Sequence, residues 1–266
     1  MDMLVAAFLL AQAMPVIPVA TPGASPSPSA SPSDVIDVDG GGANSYLNRH
    51  QQRWESGYAG TSFTAPSGFA LRFGYANDVR FGVSSDSYAF GTEIPTHRPN
   101  GTLHLGYVET SQNDVVPTNA VIAGYDVRTG GGWGYQVGYV GRAFSSASAA
   151  NYGFGVDRHW KRQRLGYFVQ LASISNRSSV GVVQGLRWST DLPADTVTLT
   201  TGAGRGVEST GRNRVAVHDT FGFDADDLHW LDPHTAIRAD VGYFSVSRAY
   251  QRFLVLLGMR VRIGRL

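Results

Sequence analysis

Seven histidines are the residues of this chain best suited to catalysis or metal binding: His50, His97, His104, His159, His218, His229 and His234. A Ser–His pair with an acidic orienter would make a hydrolase. His218 and Asp219 are adjacent, and successive side chains of a strand point to opposite faces, so they form no dyad. No G-x-S-x-G elbow is present. The segment His229–His234 (HWLDPH) lacks the ligand spacing of a helical metal site, and Pro233 makes it a turn. Asp34, Asp37 and Asp39 precede Gly40-Gly41-Gly42, but the ligand spacing and closing Glu of a calcium-binding EF-hand are missing. The glycine strings Gly130–Gly132 and Gly202–Gly206 precede no helix, so nothing supplies the N-terminus that a phosphate cradle needs. They read as turns and strand bends. The sequence therefore predicts no catalytic residue, no metal ligand and no cofactor site.

The other chemistry is charge held on one face of strands. From Phe253 to Ile263 every second residue is large and apolar: Phe253, Val255, Leu257, Met259, Val261 and Ile263. The opposing set is Leu254, Leu256, Gly258, Arg260 and Arg262. A period of two over eleven residues is a strand with one greasy face. Trp133–Ala143 repeats the pattern, with Trp133, Tyr135, Val137, Tyr139 and Gly141 against Gly134, Gln136, Gly138, Val140 and Arg142. Val121–Arg128, Leu165–Ala172, Arg214–His218 and Ile237–Tyr243 follow suit. The polar faces of these runs carry Arg128, Arg142, Arg238, Arg260 and Arg262, with Asp126 and Asp240, and Arg187 is expected to share that face on a further strand. In a barrel these residues line the lumen. Two roles stay open for them: a path that favours anionic solutes, or an Arg–Asp ladder that fills a narrow bore.

Composition bounds the class. Net charge is +1, which gives no electrostatic case for nucleic acid. There are no cysteines, so neither disulfides nor thiolate metal sites arise. Charged residues are 16%, below the roughly 25% of soluble domains. Lys161 is the single lysine, and 32 glycines accompany 13 Phe, 12 Tyr and 5 Trp. That mixture suits tightly turning strands with aromatic bands. No segment reaches the ~18 apolar residues of a membrane helix, and a barrel needs none.

Residues 1–13 read as a signal peptide: a short apolar run, Leu4–Leu10, then Ala11-Gln12-Ala13 as a cleavage pattern, with Asp2 in place of the usual basic start. Residues 14–50 read as a disordered linker, rich in Pro and Ser and acidic toward its end. Residues 51–266 read as strand after strand, punctuated by the Gly- and Pro-containing breaks Thr129–Gly132, Thr190–Asp195 and Arg205–Asn213 and the short polar break Lys161–Gln163. The spacing predicts an all-β, antiparallel transmembrane β-barrel of about 12 strands, with 14 as the alternative. Phe69–Ile94 reads equally as two long strands or several short ones. Trp133, Trp160, Trp188 and Tyr250 lie near strand ends, where an interfacial girdle would place them.

An export signal and a terminal strand of alternating hydrophobes favour lipid over a soluble core as the partner of the greasy faces. The region from Trp54 onward also resembles the YaiO-type outer-membrane β-barrel family. The resemblance is carried by Arg80-Phe81-Gly82 with Asp86 and Tyr88, by Trp133–Tyr139, by Gly185-Leu186-Arg187-Trp188 and by Gly202–Gly206. It implies an outer-membrane barrel without agreed catalytic residues, associated with envelope or exopolysaccharide systems. The expected protein is thus a non-catalytic barrel of the bacterial outer membrane, a pore or an accessory to solute or polysaccharide passage. Its expected partners are outer-membrane lipid, the barrel-insertion machinery and an envelope polysaccharide system, with no nucleic acid. The alternatives are an outer-membrane hydrolase acting on lipid or peptide and a soluble periplasmic barrel that binds an apolar ligand.

Overall fold

In the computed structural model the described residues are 34–48, 53–96, 101–111, 116–175, 177–209 and 215–264. The expected signal peptide, the Pro/Ser-rich part of the linker, His50 and His97 lie outside them. The alternation read from the sequence becomes fourteen strands: β1 (Val35–Leu47), β2 (Trp54–Thr64), β3 (Ala70–Arg80), β4 (Val83–Thr96), β5 (Gly101–Thr110), β6 (Asn119–Arg128), β7 (Trp133–Ala143), β8 (Ser148–Trp160), β9 (Gln163–Ile174), β10 (Arg177–Asp191), β11 (Asp195–Ser209), β12 (Val215–Trp230), β13 (Thr235–Val246) and β14 (Tyr250–Ile263). Each strand pairs antiparallel with its sequence neighbours, and β1 pairs with β14, so the sheet closes on itself. Closure leaves no edge, which lets every strand sit in hydrocarbon with its backbone bonded.

The count is fourteen, the larger of the two expected numbers. The ambiguous Phe69–Ile94 stretch is the long hairpin of β3 and β4. It turns on two residues, Phe81 and Gly82, with φ of 50° and 72°, the geometry that matches strand twist. The Phe81 ring packs edge-on against Trp54 at 5.1 Å, which anchors a non-glycine residue in that conformation.

The expected linker is corrected over its last third. Val35–Leu47 is a full strand, and it closes the barrel by pairing from Ile36–Ile263 to Leu47–Arg252 with β14. Asp37, Asp39 and three glycines suggest a solvated tether in a linear reading. In a barrel the polar face is the inner one, so Asp37 and Asp39 are buried and Ile36 and Val38 point outward. Tyr250 is corrected as well. It shares the parity of Arg252 and Leu254, faces inward, and packs against Trp54 with ring centroids 5.2 Å apart instead of joining an outer girdle. Trp133 and Trp160 do point outward.

The outer surface is apolar. Leu257, Met259 and Ile263 on the closing strand are 62%, 54% and 55% exposed. Phe73, Tyr88, Phe90, Val137, Phe154, Val182 and Phe221 extend the same belt around other strands. An apolar exterior of this extent around a closed, polar-lined barrel places the protein in the bacterial outer membrane.

The interior is shared between charge and small apolar clusters. Tyr58 reaches from β2 across β1 toward β14, in a cluster with Ala43, Ala76, Leu254 and Leu256. Gly41 and Gly258 make room for it: a Cβ on Gly41 would stand 2.7 Å from the Tyr58 hydroxyl, and one on Gly258 would meet that hydroxyl head-on. Across the barrel, Phe244 of β13 meets Phe168 and Val183 of β9 and β10.

Candidate functional site

The interior charges are set by strand parity and paired by register. At the seam, Arg260 Nε donates to Asp39 at 2.7 Å, and Arg262 Nε and Nη2 donate to the two Asp37 oxygens at 2.8 and 3.0 Å. Arg262 also lies over the Trp230 ring, 4.5 Å from its centroid. Arg238 Nε donates to Asp226 at 2.6 Å. Arg72 pairs with Glu93 at 2.8 Å, and His104 bridges Glu93 at 3.5 Å to Asp126 on the next strand. Arg164 and His159 share Asp157 at 2.8 and 2.9 Å. Arg187 Nε donates to Thr200 at 3.4 Å, and Asp240 lies among Asp224, Asp226, Arg238 and Arg252.

Of the eight residues read from the sequence as lumen-lining, Arg142, Arg187, Arg238, Asp240 and Arg260 are buried, and Asp126 and Arg262 are half-buried. Arg128 ends its strand exposed at the rim. The sequence reading did not place Asp37, Asp39, Arg72, Glu93, Asp157, Arg164, Glu208, Asp226 or Arg252 in the lumen, where the structure puts them. The signal was parity within each strand, which needs the strand boundaries to be known.

The histidines join neighbouring strands. His229 meets Asp195 at 2.5 Å, and the His234 ring nitrogen donates to the Arg262 carbonyl at 3.1 Å. His218 is half-buried while Asp219 is exposed, in line with their opposite faces.

One hairpin departs from the wall. The register between β10 and β11 runs from Asp191–Thr196 to Val183–Gly204 and ends there. The register between β12 and β13 begins only at Thr220–Val246. Between those points β11 and β12 continue to pair with each other as far as Ser209–Val215. The two arms, residues 205–209 and 215–218, are therefore bonded to each other above the last rung shared with their neighbours, where the Asp219 carbonyl accepts the Ser247 N–H at 2.9 Å. The hinge of this hairpin is Gly204, whose φ of 148° belongs to glycine and whose added Cβ would strike the Val182 carbonyl.

The hairpin folds inward. Val207 and Val215 cluster with Ala149, Ala172 and Ile174 of β8 and β9, and Val217 packs on the same group. Val207 and Glu208 are successive residues, yet each is only 3% exposed. Both faces of the hairpin are thus covered, which no wall strand with a lipid side achieves. Glu208 feels the charges of Arg142 on β7, Arg252 on β14 and Arg80 on β3. Strands β7 and β14 stand on opposite walls of a fourteen-strand ring. Strand spacing and tilt put those walls about 28 Å apart, too far for a side chain based in the wall to be near both. Glu208 reaches them because the hairpin carries it into the mouth.

Arg252 is sandwiched between the rings of Trp54 and Phe244, 5.3 and 4.8 Å from their centroids, and Arg80 lies 5.1 Å over Trp54. These aromatic faces hold the guanidinium groups in place at the mouth.

No protein-family model and no curated protein matches the sequence. Among solved structures, the chain is similar to the outer membrane protein Omp33 of Acinetobacter baumannii, with a TM-score of 0.52 and 13% identity over 88% of this chain and 100% of that one. The KdgM porin aligns with a TM-score of 0.49 and 10% identity over 85% and 98% of the two chains. An anion-selective porin from Comamonas acidovorans gives 0.49 and 9% over 87% and 100%. The likeness to Omp33 is one of fold. Together with the apolar exterior and polar interior, it defines the class: an outer-membrane β-barrel of pore-like architecture.

Proposed function

We propose that the protein is a non-catalytic channel for small hydrophilic solutes, with a narrow, charge-paired bore narrowed at one mouth by the Arg205–Asp219 hairpin. The observation that carries this reading is the set of polar groups inside the barrel. Trp54 Nε1, Asp78 Oδ2, Asn151 Oδ1 and Gln170 Nε2 are buried without a hydrogen-bond partner among the described residues. A dry core does not tolerate such a set, because roughly 90% or more of buried polar groups are paired. These atoms are closed to water in this packing, so they mark a tightly filled polar bore, and a polar bore through a membrane barrel supports a path that opens when the packing loosens. The Arg–Asp pairing favours the narrow-bore role over a broad anion path, since most of the lumen arginines are matched by a carboxylate. The YaiO-type resemblance supports placing that path among the accessories of an envelope polysaccharide system.

Planar-bilayer recording tests the proposal with the native barrel and a variant in which residues 207–217 are replaced by a short turn. The native protein gives small, brief conductance steps, and the shortened hairpin gives larger or longer ones. If both run as folded, heat-modifiable barrels on gels yet neither conducts, the barrel is a structural element of the envelope and the channel reading fails.

A further inference from the structure

We propose that the outer wall at the turn between β8 and β9 binds the phosphate of an anionic glycerophospholipid, held by Arg158, Lys161 and Arg162 inside a tryptophan belt. The site lies on the outside of the barrel, so it goes beyond the channel reading and does not rest on it.

Register builds the site. On β8, Tyr152, Phe154 and Trp160 point outward, and Arg158 shares their parity and is exposed. Arg158 therefore stands on the lipid face, among hydrophobes. Its cross-strand partners are Trp133 on β7 and Leu165 on β9, and Leu165 pairs in turn with Trp188 on β10. The guanidinium lies over the Trp133 ring, 4.9 Å from its centroid, which holds a long side chain in one place. Two residues further on β8 ends, and the turn Lys161–Arg162 adds two more exposed cations. The adjacent carboxylate, Asp157, faces the lumen, where Arg164 and His159 hold it. None of the three cations has an ion pair among the described residues.

The chemistry names the occupant. An unpaired guanidinium on the lipid face is tolerated where a strand leaves the hydrocarbon, at the depth of the headgroups. Tryptophan rings settle at that same depth. Three cations at one turn call for negative charge, and the apolar belt beside them calls for acyl chains. A lipid phosphate supplies both. Connections on this rim are short, among them 65–69, 129–132 and 192–194, whereas β5 and β6 are joined at the other rim across 111–118. Short connections mark the periplasmic side, whose leaflet is made of glycerophospholipid. The wall near the other rim carries the opposite sign. Asp86 accepts the hydroxyl of the outward Tyr75 there, and Glu109 pairs with the outward Tyr88. The outer wall thus attracts an anion at one end and repels it at the other.

The test uses the folded, full-length barrel in mixed micelles of detergent and lipid, with brominated phosphatidylglycerol as the probe and brominated phosphatidylcholine as the zwitterionic control. Bromine quenches tryptophan emission on contact, so the two quenching curves read the lipid preference at Trp133, Trp160 and Trp188. A cation at an anionic lipid surface is worth about fivefold in affinity, so the native barrel prefers the anionic probe by roughly tenfold or more. Arg158→Gln cuts that preference about fivefold, and so does Lys161→Asn with Arg162→Gln. Both variants keep heat-modifiable mobility, since asparagine accepts the backbone of Lys161, whose φ is 56°. Arg53→Gln, which removes a charge at the other rim, leaves the preference unchanged. A native barrel with no preference overturns the site. An equal loss in Arg53→Gln does so too, because the effect is then one of bulk charge. Displacement of the probe by inorganic phosphate at matched ionic strength overturns the lipid assignment. Stronger displacement by lipid A than by unbrominated phosphatidylglycerol overturns the choice of glycerophospholipid.

Discussion

Removing Asp39 probes the seam on which closure depends. Arg260 is 1% exposed and its Nε donates to Asp39 at 2.7 Å. At that separation the attraction between unit charges is about 6 kcal/mol for an effective dielectric constant of about 20. Most of it is offset by the loss of hydration that both groups suffer, so the net worth of the pair is small. Asp39→Ala is different, because it strands the arginine in a place water reaches poorly. The expected loss is about 3–5 kcal/mol. Asp39→Ala with Arg260→Met removes both charges and keeps volume at the arginine position, so it recovers most of that loss. The solvent-exposed pair Arg53–Glu55, at 3.4 Å with side chains 46% and 59% exposed, is the control: Glu55→Ala costs no more than about 0.5 kcal/mol. The assay is urea unfolding in lipid vesicles, followed by tryptophan emission and heat-modifiable mobility, with the four seam proteins forming a double-mutant cycle. A cost for Asp39→Ala below about 1 kcal/mol refutes the reasoning, and so does additivity of the two substitutions. Either result would mean that β1 does not depend on this contact for its seat against β14.

Three further outcomes are expected. Gly258→Ala drives a methyl into the Tyr58 hydroxyl and to 3.0 Å from the Gly40 carbonyl, and should cost about 1–3 kcal/mol in the same unfolding assay, with part of the loss relieved in a Tyr58→Phe background. Gly204→Val forbids the hinge conformation at a strain of about 1–3 kcal/mol, so limited proteolysis should cut the Arg205–Asp219 hairpin faster while the rest of the barrel stays resistant. Asp232, in the turn between β12 and β13, accepts the backbone N–H groups of His234 and Thr235 at 2.7 and 2.9 Å, and these bonds, the His234 N–H foremost, hold its carboxyl below the usual value of 3.8. A depressed folded-state value adds stability above the unfolded value and loses it as pH falls through the folded one. The stability difference between native protein and Asp232→Ala should therefore be flat near neutrality and shrink only below about pH 4. A difference that stays constant to lower pH would rule out the carboxylate cap.

The alternation itself was legible in the sequence. Phe253–Ile263 states its period of two without help, because a strand in lipid must repeat a hydrophobe at every second place. Breaks such as Thr129–Gly132 and Thr190–Asp195 located turns for the same local reason, whereas Arg205–Asn213 runs into β11, which continues to Ser209. Strand β1 was not legible. Asp37, Asp39 and Gly40–Gly42 have the composition of a solvated tether, and only their burial opposite Arg262 and Arg260 turns that composition into a lumen face. Tyr250 misled for a related reason: its place near a strand end is local, while the side it faces follows from the register of the whole strand.

What the sequence determined, then, was the kind of surface each strand must present, since periodicity is set by backbone geometry one residue at a time. Tertiary structure alone decided what meets across the barrel. Glu208 lies 66 positions from Arg142 and 44 from Arg252 in the numbering, and nothing local couples them. They share one mouth because the sheet closes at fourteen strands and the pairing of β11 and β12 with their neighbours ends at Gly204 and Thr220. Closure and the end of a register are properties of the whole ring, so no window along the chain contains them.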